Sequence, residues 1–211
     1  MDEELEFFNE IAQKLLISEQ RNPVVKPVPT HQVIDELDIN FKDQGIEDDE
    51  WKELIEKMIN FTPKTASKLF FNQLFGGRQP KAVFGDLLAV MLNNSMYTYK
   101  VAGPQAGIEK TIMKKVVQLA GYPDLADGTI APGGSMCNFM ALVMARESVV
   151  KDIPYAGVNS KMTLYTSKES HYSILKNAAF AGIGRDQVRF IKTNEKGEMD
   201  INHLNDTNSE D

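Results

Sequence analysis

Hydrophobic residues recur at the spacing of one helical face along much of the chain. Residues 4–18 place apolar side chains at every third or fourth position with polar residues between them, which predicts an amphipathic helix. The acidic run at 47–50 suits the start of a helix, and we interpret it as a cap rather than a metal site. Further helices are predicted at 30–37, after the acidic run, and at 81–94, 105–120, 135–149 and 170–181.

The second half of the chain also contains short apolar runs that predict strands. They lie at 129–131, 162–166 and 188–192 and alternate with helices, which is typical of a sheet covered by helices. The predicted fold class is therefore α/β, with a helical arm and segment at 1–80 and the α/β domain at 81–211. Three strands would leave an exposed sheet edge, so we expect this sheet to be incomplete. The polar residues 205–211 are expected to be frayed.

The segment after the first helix contains Pro23, Pro27 and Pro29, which predicts an extended arm rather than a helix. The apolar face of the first helix must be buried against something. Two arrangements are open: the helix packs on another subunit, or it packs back on its own domain.

Composition and charge narrow the choice of partner. Hydrophobic residues make up 42% of the chain and charged residues 25%, as in ordinary globular proteins. A net charge of -7 disfavours nucleic acid and anionic membranes, and no apolar run reaches the ~20 residues of a membrane span. Cys137 is the only cysteine, which excludes an internal disulfide, and the acidic start does not resemble a secretory signal. We expect a cytoplasmic protein with a small-molecule partner.

Two local patterns could carry chemistry. Gly133 and Gly134 lie between a predicted strand and a helix, where backbone N–H groups can bind a phosphate. Taken alone, the pair is also explained by a tight turn in which Ser135 caps the helix. His171 is predicted in the first turn of a helix at the carboxyl end of a strand, either as a ligand-binding group or as a surface histidine. Cys137 is predicted to be a small residue facing a helix rather than a nucleophile, and no metal site is predicted.

Five short segments carry motifs that occur together in one family. They are Phe71-Asn72-Gln73-Leu74-Phe75, Asn94-Ser95-Met96-Tyr97-Thr98-Tyr99, Ala131-Pro132-Gly133-Gly134-Ser135, Thr166-Ser167-Lys168-Glu169-Ser170-His171-Tyr172-Ser173 and the stretch 182–197. In this order they resemble the group II pyridoxal-phosphate decarboxylases, which include glutamate, cysteine-sulfinate and aspartate decarboxylases. The resemblance covers about residues 60–204.

The resemblance implies that residues 81–211 form the first part of a fold-type I large domain that binds pyridoxal 5'-phosphate. Gly134, Ser135, Met136 and Cys137 would hold the cofactor phosphate, and His171 would be the catalytic imidazole that stacks on the pyridine ring. Relatives usually carry serine at the position of Cys137, and a thiol is a weaker hydrogen-bond donor than a hydroxyl.

The resemblance also assigns a substrate site. Gln73 and Phe75 match a segment that lines the pocket, while Ser95 and Tyr97 match a segment that reaches the active site of a partner subunit. The family is therefore expected to be an obligate homodimer. The aromatic ring of Phe75 would shorten the pocket and favour aspartate or cysteine sulfinate over glutamate.

Two departures bear on this reading. Glutamate-specific relatives tend to carry alanine where Ser135 stands, which again favours the shorter acidic substrates. Lys100 stands where the family usually has glutamate, and the sequence does not explain this change.

The resemblance implies a Schiff-base lysine that the chain does not contain, because no His-Lys pair occurs in it. We therefore expect an N-terminal fragment of a decarboxylase that is inactive alone. The alternative is a non-catalytic dimerising module that binds an intact relative through its arm and long helices.

Overall fold

The computed structural model describes residues 1–38, 43–72 and 74–210. The chain forms two compact units, Met1–Asn94 and Ser95–Asp211. The helix Pro80–Leu92 lies in the first of these units, and the division of the chain at residue 80 stays a prediction. The interpretation of residues 81–211 as the first part of a cofactor-binding domain stays a prediction.

The regular elements of the first unit, over its described residues, are all helices. Its helices begin where the sequence provides start signals: three acidic residues open both α1 and α3, and proline stands at the first position of α4. The acidic run is thus a helix start, as predicted. The helices are α1 (Asp2–Arg21), α2 (Thr30–Leu37), α3 (Asp48–Phe61) and α4 (Pro80–Leu92).

Helix α1 packs back on its own unit. The ring of Phe7 lies 5.3 Å from the ring of Trp51 on α3, measured between centroids. The ammonium group of Lys14 binds the carboxylate of Glu56 at 2.6 Å, and Ile11 is buried. Of the two arrangements open for the first helix, the structure therefore shows contact with its own domain.

The second unit contains the α/β part of the chain. Its elements are α5 (Tyr99–Ala102), α6 (Pro104–Leu119), α7 (Gly134–Val149), α8 (Ile153–Ala156), β1 (Leu164–Ser167), α9 (Ser173–Phe180), a 3-10 helix (Arg185–Gln187), β2 (Val188–Ile191) and α10 (Ile201–Glu210). Within the three described ranges, no helix combines the length and the apolar composition needed to cross a bilayer.

Strands β1 and β2 pair in parallel, with Leu164 opposite Val188 and Ser167 opposite Ile191. Parallel neighbours need a crossover connection, and α9 provides it. The most deeply buried apolar side chains of this unit include Ala178 on α9 and Ile191 on β2. The predicted α/β class and the second and third predicted strands are confirmed.

Two predictions about local structure were wrong. Residues 129–131 do not form a strand, because the carboxylate of Glu109 accepts hydrogen bonds from the Thr129 hydroxyl at 2.9 Å and from the Ile130 N–H at 3.1 Å. Residues 205–210 are not frayed but lie in α10, whose start is capped by the Asp200 carboxylate through the N–H groups of residues 202 and 203.

Candidate functional site

The turn before α7 leaves the start of the helix open. Gly133 has φ 102° and ψ 156°, a conformation that residues with a Cβ rarely adopt. Its carbonyl accepts the N–H groups of Met136 at 3.0 Å and Cys137 at 3.2 Å. No side chain of the described residues caps α7, and the proposed cap by Ser135 was wrong because Gly133 holds the N-cap position. The positive end of the α7 dipole is thus available to an anion.

The side chains of this first turn face solvent. Gly134, Ser135, Met136 and Cys137 are all exposed. The thiol of Cys137 is exposed, contrary to the expectation from the sequence that this residue faces a helix. The assignment of these residues to a cofactor phosphate stays a prediction.

His171 lies between the end of β1 and the start of α9. The backbone turns after β1, where the Ser170 N–H donates to the Ser167 carbonyl at 3.2 Å. Since α9 begins at Ser173, His171 precedes the helix rather than occupying its first turn. The position at the carboxyl end of a parallel strand is the one at which open α/β sheets bind ligands.

A cavity of about 270 Å³ lies at this end of β1. His171, Lys168 and Phe190 contribute to its walls, together with buried polar residues of the strand. Among the described residues that line it, none carries a carboxylate, whereas Lys168 contributes a positive charge. The charge balance therefore favours an anionic ligand.

A chain of hydrogen bonds joins α7 to His171. The Asn138 amide on α7 donates to the Ser173 hydroxyl at 2.9 Å, and this hydroxyl lies 2.8 Å from Nδ1 of His171. The Ser173 backbone N–H donates to the same nitrogen at 3.2 Å. Ser173 is 1% exposed, Asn138 is half-buried and His171 is exposed, so these bonds are partly shielded from water.

A second asparagine ties the same two helices together. Asn177 on α9 is 4% exposed, and its amide donates to the Ser135 carbonyl at 3.0 Å. Ser173 and Asn177 stand four residues apart and share one face of α9. Sequence analysis assigned neither of them a role. Their polar side chains at helical spacing, among the apolar residues of a short helix, were the signal that could have indicated a buried contact.

Of the predicted substrate residues, Ser95 and Tyr97 lie in the same unit as His171, and neither lines its cavity. Gln73 lies outside the described residues. Phe75, in the first unit, packs edge-on against Phe70 with ring centroids 5.7 Å apart. In the second unit the Ser95 hydroxyl accepts the Tyr97 N–H at 3.2 Å, and the Tyr97 side chain is 92% exposed. Their substrate role stays a prediction.

No metal centre is evident in the part of the chain that the structure describes, where no three histidine, cysteine, aspartate or glutamate side chains converge. The open start of α7 and the imidazole of His171 together suit a phosphorylated ligand with a flat ring.

Comparison with known proteins agrees with this reading. The family model described as "Pyridoxal-dependent decarboxylase conserved domain" matches residues 31–210. Cysteine sulfinic acid decarboxylase of Rattus norvegicus is 39% identical over 165 residues, which cover 77% of this chain and 33% of that protein. Acidic amino acid decarboxylase GADL1 of Xenopus tropicalis is 37% identical over 165 residues, which cover 77% and 32%.

The fold has solved counterparts as well. The crystal structure of mouse CSAD matches with a TM-score of 0.91 at 32% identity, covering 96% of this chain and 44% of that one. The chain spans about a third of the length of the curated relatives it matches. With the family model matching most of its residues, the chain belongs to the pyridoxal-dependent decarboxylase family.

Proposed function

We propose that this chain provides the phosphate-binding and ring-binding part of a pyridoxal-phosphate-dependent decarboxylase that acts on an acidic amino acid. The observation that carries the proposal is the hydrogen-bonded link between the open start of α7 and His171 through Asn138 and Ser173. This link holds an anion site and a flat polar ring in a fixed relation.

The residues present fit the cofactor. Backbone N–H groups at Gly134 and Ser135 stand at the positive end of α7, and Gly133 leaves that end free of a side-chain cap. His171 supplies a ring for stacking at the end of β1. When bound, pyridoxal phosphate supplies an electron sink that stabilises the carbanion left by loss of CO2. In this proposal the first turn of α7 binds the phosphate and His171 orients the ring. The imidazole of His171 keeps a hydrogen on one of its nitrogens.

A binding experiment on the 211-residue chain tests this part of the proposal. Pyridoxine 5'-phosphate lacks the aldehyde, so it cannot react with surface lysines. We expect it to slow the modification of Cys137 by a thiol reagent, whereas pyridoxine without the phosphate leaves the rate unchanged. Equal effects of the two compounds, or none from either, would contradict the phosphate site.

Two substitutions at His171 test whether its ring stacks on the cofactor ring. His171→Phe keeps a flat ring and His171→Ala removes it, so the first should retain protection of Cys137 by pyridoxine phosphate and the second should weaken it. Equal protection in both variants would argue against stacking.

Substrate choice is proposed to depend on Phe75. A large aromatic ring shortens a pocket and excludes the extra methylene of glutamate, which supports aspartate or cysteine sulfinate as substrate. Gln73, Ser95 and Tyr97 are proposed to complete the pocket. Of these, Ser95 and Tyr97 would reach the active site of the partner subunit in a homodimer. One methylene is worth about 10- to 200-fold in specificity. In the longer protein, Phe75→Gly should raise CO2 release from glutamate relative to aspartate, and an unchanged ratio would remove Phe75 from the specificity argument.

We place the Schiff-base lysine outside these 211 residues, because the sequence contains no His-Lys pair. The chain alone is then expected to bind the cofactor phosphate without decarboxylating any substrate. We propose the cytosol as its location, in keeping with a single cysteine and a net charge of -7.

A second candidate function is a non-catalytic module that dimerises with an intact relative. Helix α4 is apolar except for Lys81 and Asp86, and its Phe84 and Val90 side chains are 68% and 77% exposed. A helix of this composition is normally buried. Co-expression with a full-length decarboxylase should then yield a mixed dimer that Val90→Lys weakens. A strictly monomeric chain under these conditions would count against the module.

A further inference from the structure

The bonds around His171 determine which ring nitrogen carries its hydrogen. The Ser173 backbone N–H lies 3.2 Å from Nδ1. A backbone amide can only donate, so Nδ1 must present its lone pair. In a neutral imidazole with an accepting Nδ1, the hydrogen is on Nε2.

The Ser173 side chain is consistent with the same condition, which the backbone N–H sets. Its oxygen already accepts the Asn138 amide at 2.9 Å, which leaves its hydroxyl hydrogen free to point at Nδ1, 2.8 Å away. The direction of donation thus runs from Asn138 to Ser173 to His171. Ser173 is 1% exposed and Asn138 is half-buried, so the bond between their side chains is partly shielded from water.

We infer that Asn138 and Ser173 are positioning residues that hold His171 in the Nε2–H tautomer. The free edge of the imidazole then donates a hydrogen bond to a ligand acceptor, such as a carboxylate or a cofactor oxygen. A neutral His171 in this state has no lone pair on Nε2 and does not act there as a base. Only the identity of the ligand rests on the proposed function, since the tautomer is set by the protein's own bonds.

The tautomer can be measured directly. The 15N chemical shifts of the two ring nitrogens distinguish the tautomers in the full 211-residue chain labelled at histidine, without cofactor and at a pH at which the ring is neutral. His171→Gln assigns the signals. We expect the Nε2–H form to predominate at His171. A dominant Nδ1–H form, or an even mixture, would overturn the inference.

Variants test the two positioning residues. Asn138→Asp replaces the donating amide with an acceptor that draws the Ser173 hydroxyl hydrogen away from Nδ1. Ser173→Ala removes the hydroxyl, and Ser173→Thr restores it. Loss of one such bond should raise the ratio of the Nδ1–H to the Nε2–H form about two- to tenfold, with rescue in Ser173→Thr. An unchanged ratio in both Asn138→Asp and Ser173→Ala would show that they do not position the ring.

His203 is an internal control in the same spectra. Its Nδ1 accepts the Lys192 backbone N–H at 3.3 Å, so it should also show the Nε2–H form and stay unchanged in every variant. A variant that alters the His203 signals is misfolded and is set aside. If Asn138→Asp does so, Ser173→Ala, which deletes one atom, becomes the deciding variant. If the tautomer is as inferred but pyridoxine phosphate does not protect Cys137, the proposed function fails and the positioning roles stand.

Discussion

Asn177 makes one of the buried hydrogen bonds that hold α7 against α9, and its removal should loosen both helices. The side chain is 4% exposed, and its amide donates to the Ser135 carbonyl at 3.0 Å. Leaving a buried polar group without its partner costs about 1–3 kcal/mol. Asn177→Ala should therefore destabilise the second unit by that amount. Asn177→Asp, which keeps the shape but sets a carboxylate against a carbonyl oxygen, should destabilise it more.

Hydrogen exchange followed by mass spectrometry measures this effect locally. A loss of about 1–3 kcal/mol corresponds to roughly 5- to 150-fold faster exchange of amides in α7 and α9. Asn205→Ala is the matched control, because Asn205 is exposed on α10. Trp51, the only tryptophan, lies in the first unit. Its fluorescence in the folded chain should therefore be the same in Asn177→Ala as in the unsubstituted chain. A change of less than about twofold in α7 and α9 would show that the bond contributes nothing measurable.

Three further predictions concern backbone strain, thiol exposure and a surface ion pair. Gly133→Ala should cost about 1–3 kcal/mol in urea unfolding, since φ is 102°, whereas Gly134→Ala, where a Cβ meets no atom within 4 Å, should be close to neutral; equal effects would contradict the strain argument. Cys137 is exposed and should react with a thiol reagent in the folded chain; a reaction that requires denaturant would contradict its placement. The hydrogen bond from Lys14 lowers the pKa of Glu10, so the pair stabilises the fold above the ordinary pKa of glutamate and the effect is lost as pH falls through the lowered value; Lys14→Met should raise the Glu10 pKa in a carboxyl NMR titration, and no change would refute the assignment.

The elements that the sequence predicted well have local causes. Helices α4 and α6 begin at Pro80 and Pro104, and α3 begins in a run of acidic residues, so the signal for each start lies within a few residues of it. The strand predicted at 129–131 failed because apolar residues form a strand only beside a partner strand. Instead of a partner strand, the carboxylate of Glu109, about 20 residues earlier, accepts the backbone N–H of Ile130.

In the candidate site, too, features with local signals could be predicted and features that depend on distant residues could not. The Gly-Gly turn and His171 could be found from the sequence, because each stands beside a recognisable strand or helix boundary. The bonds that connect them could not, since Asn138 and Ser173 are 35 residues apart and Asn177 and Ser135 are 42 apart. Which polar side chains meet at such separations depends on how α7 packs on α9, and periodicity along either helix does not specify that packing.

These distant bonds connect the two motifs that we propose as one site. An open helix start binds an anion wherever it occurs, and a histidine at a strand end can serve many ligands. Here Asn177 fixes the carbonyl of the first turn of α7, and Asn138 reaches Ser173 to orient the imidazole. A displacement of α9 would therefore change the proposed phosphate site and the proposed ring site together. Substitutions on the buried face of α9 should thus affect ligand binding even though they touch neither the anion nor the ring.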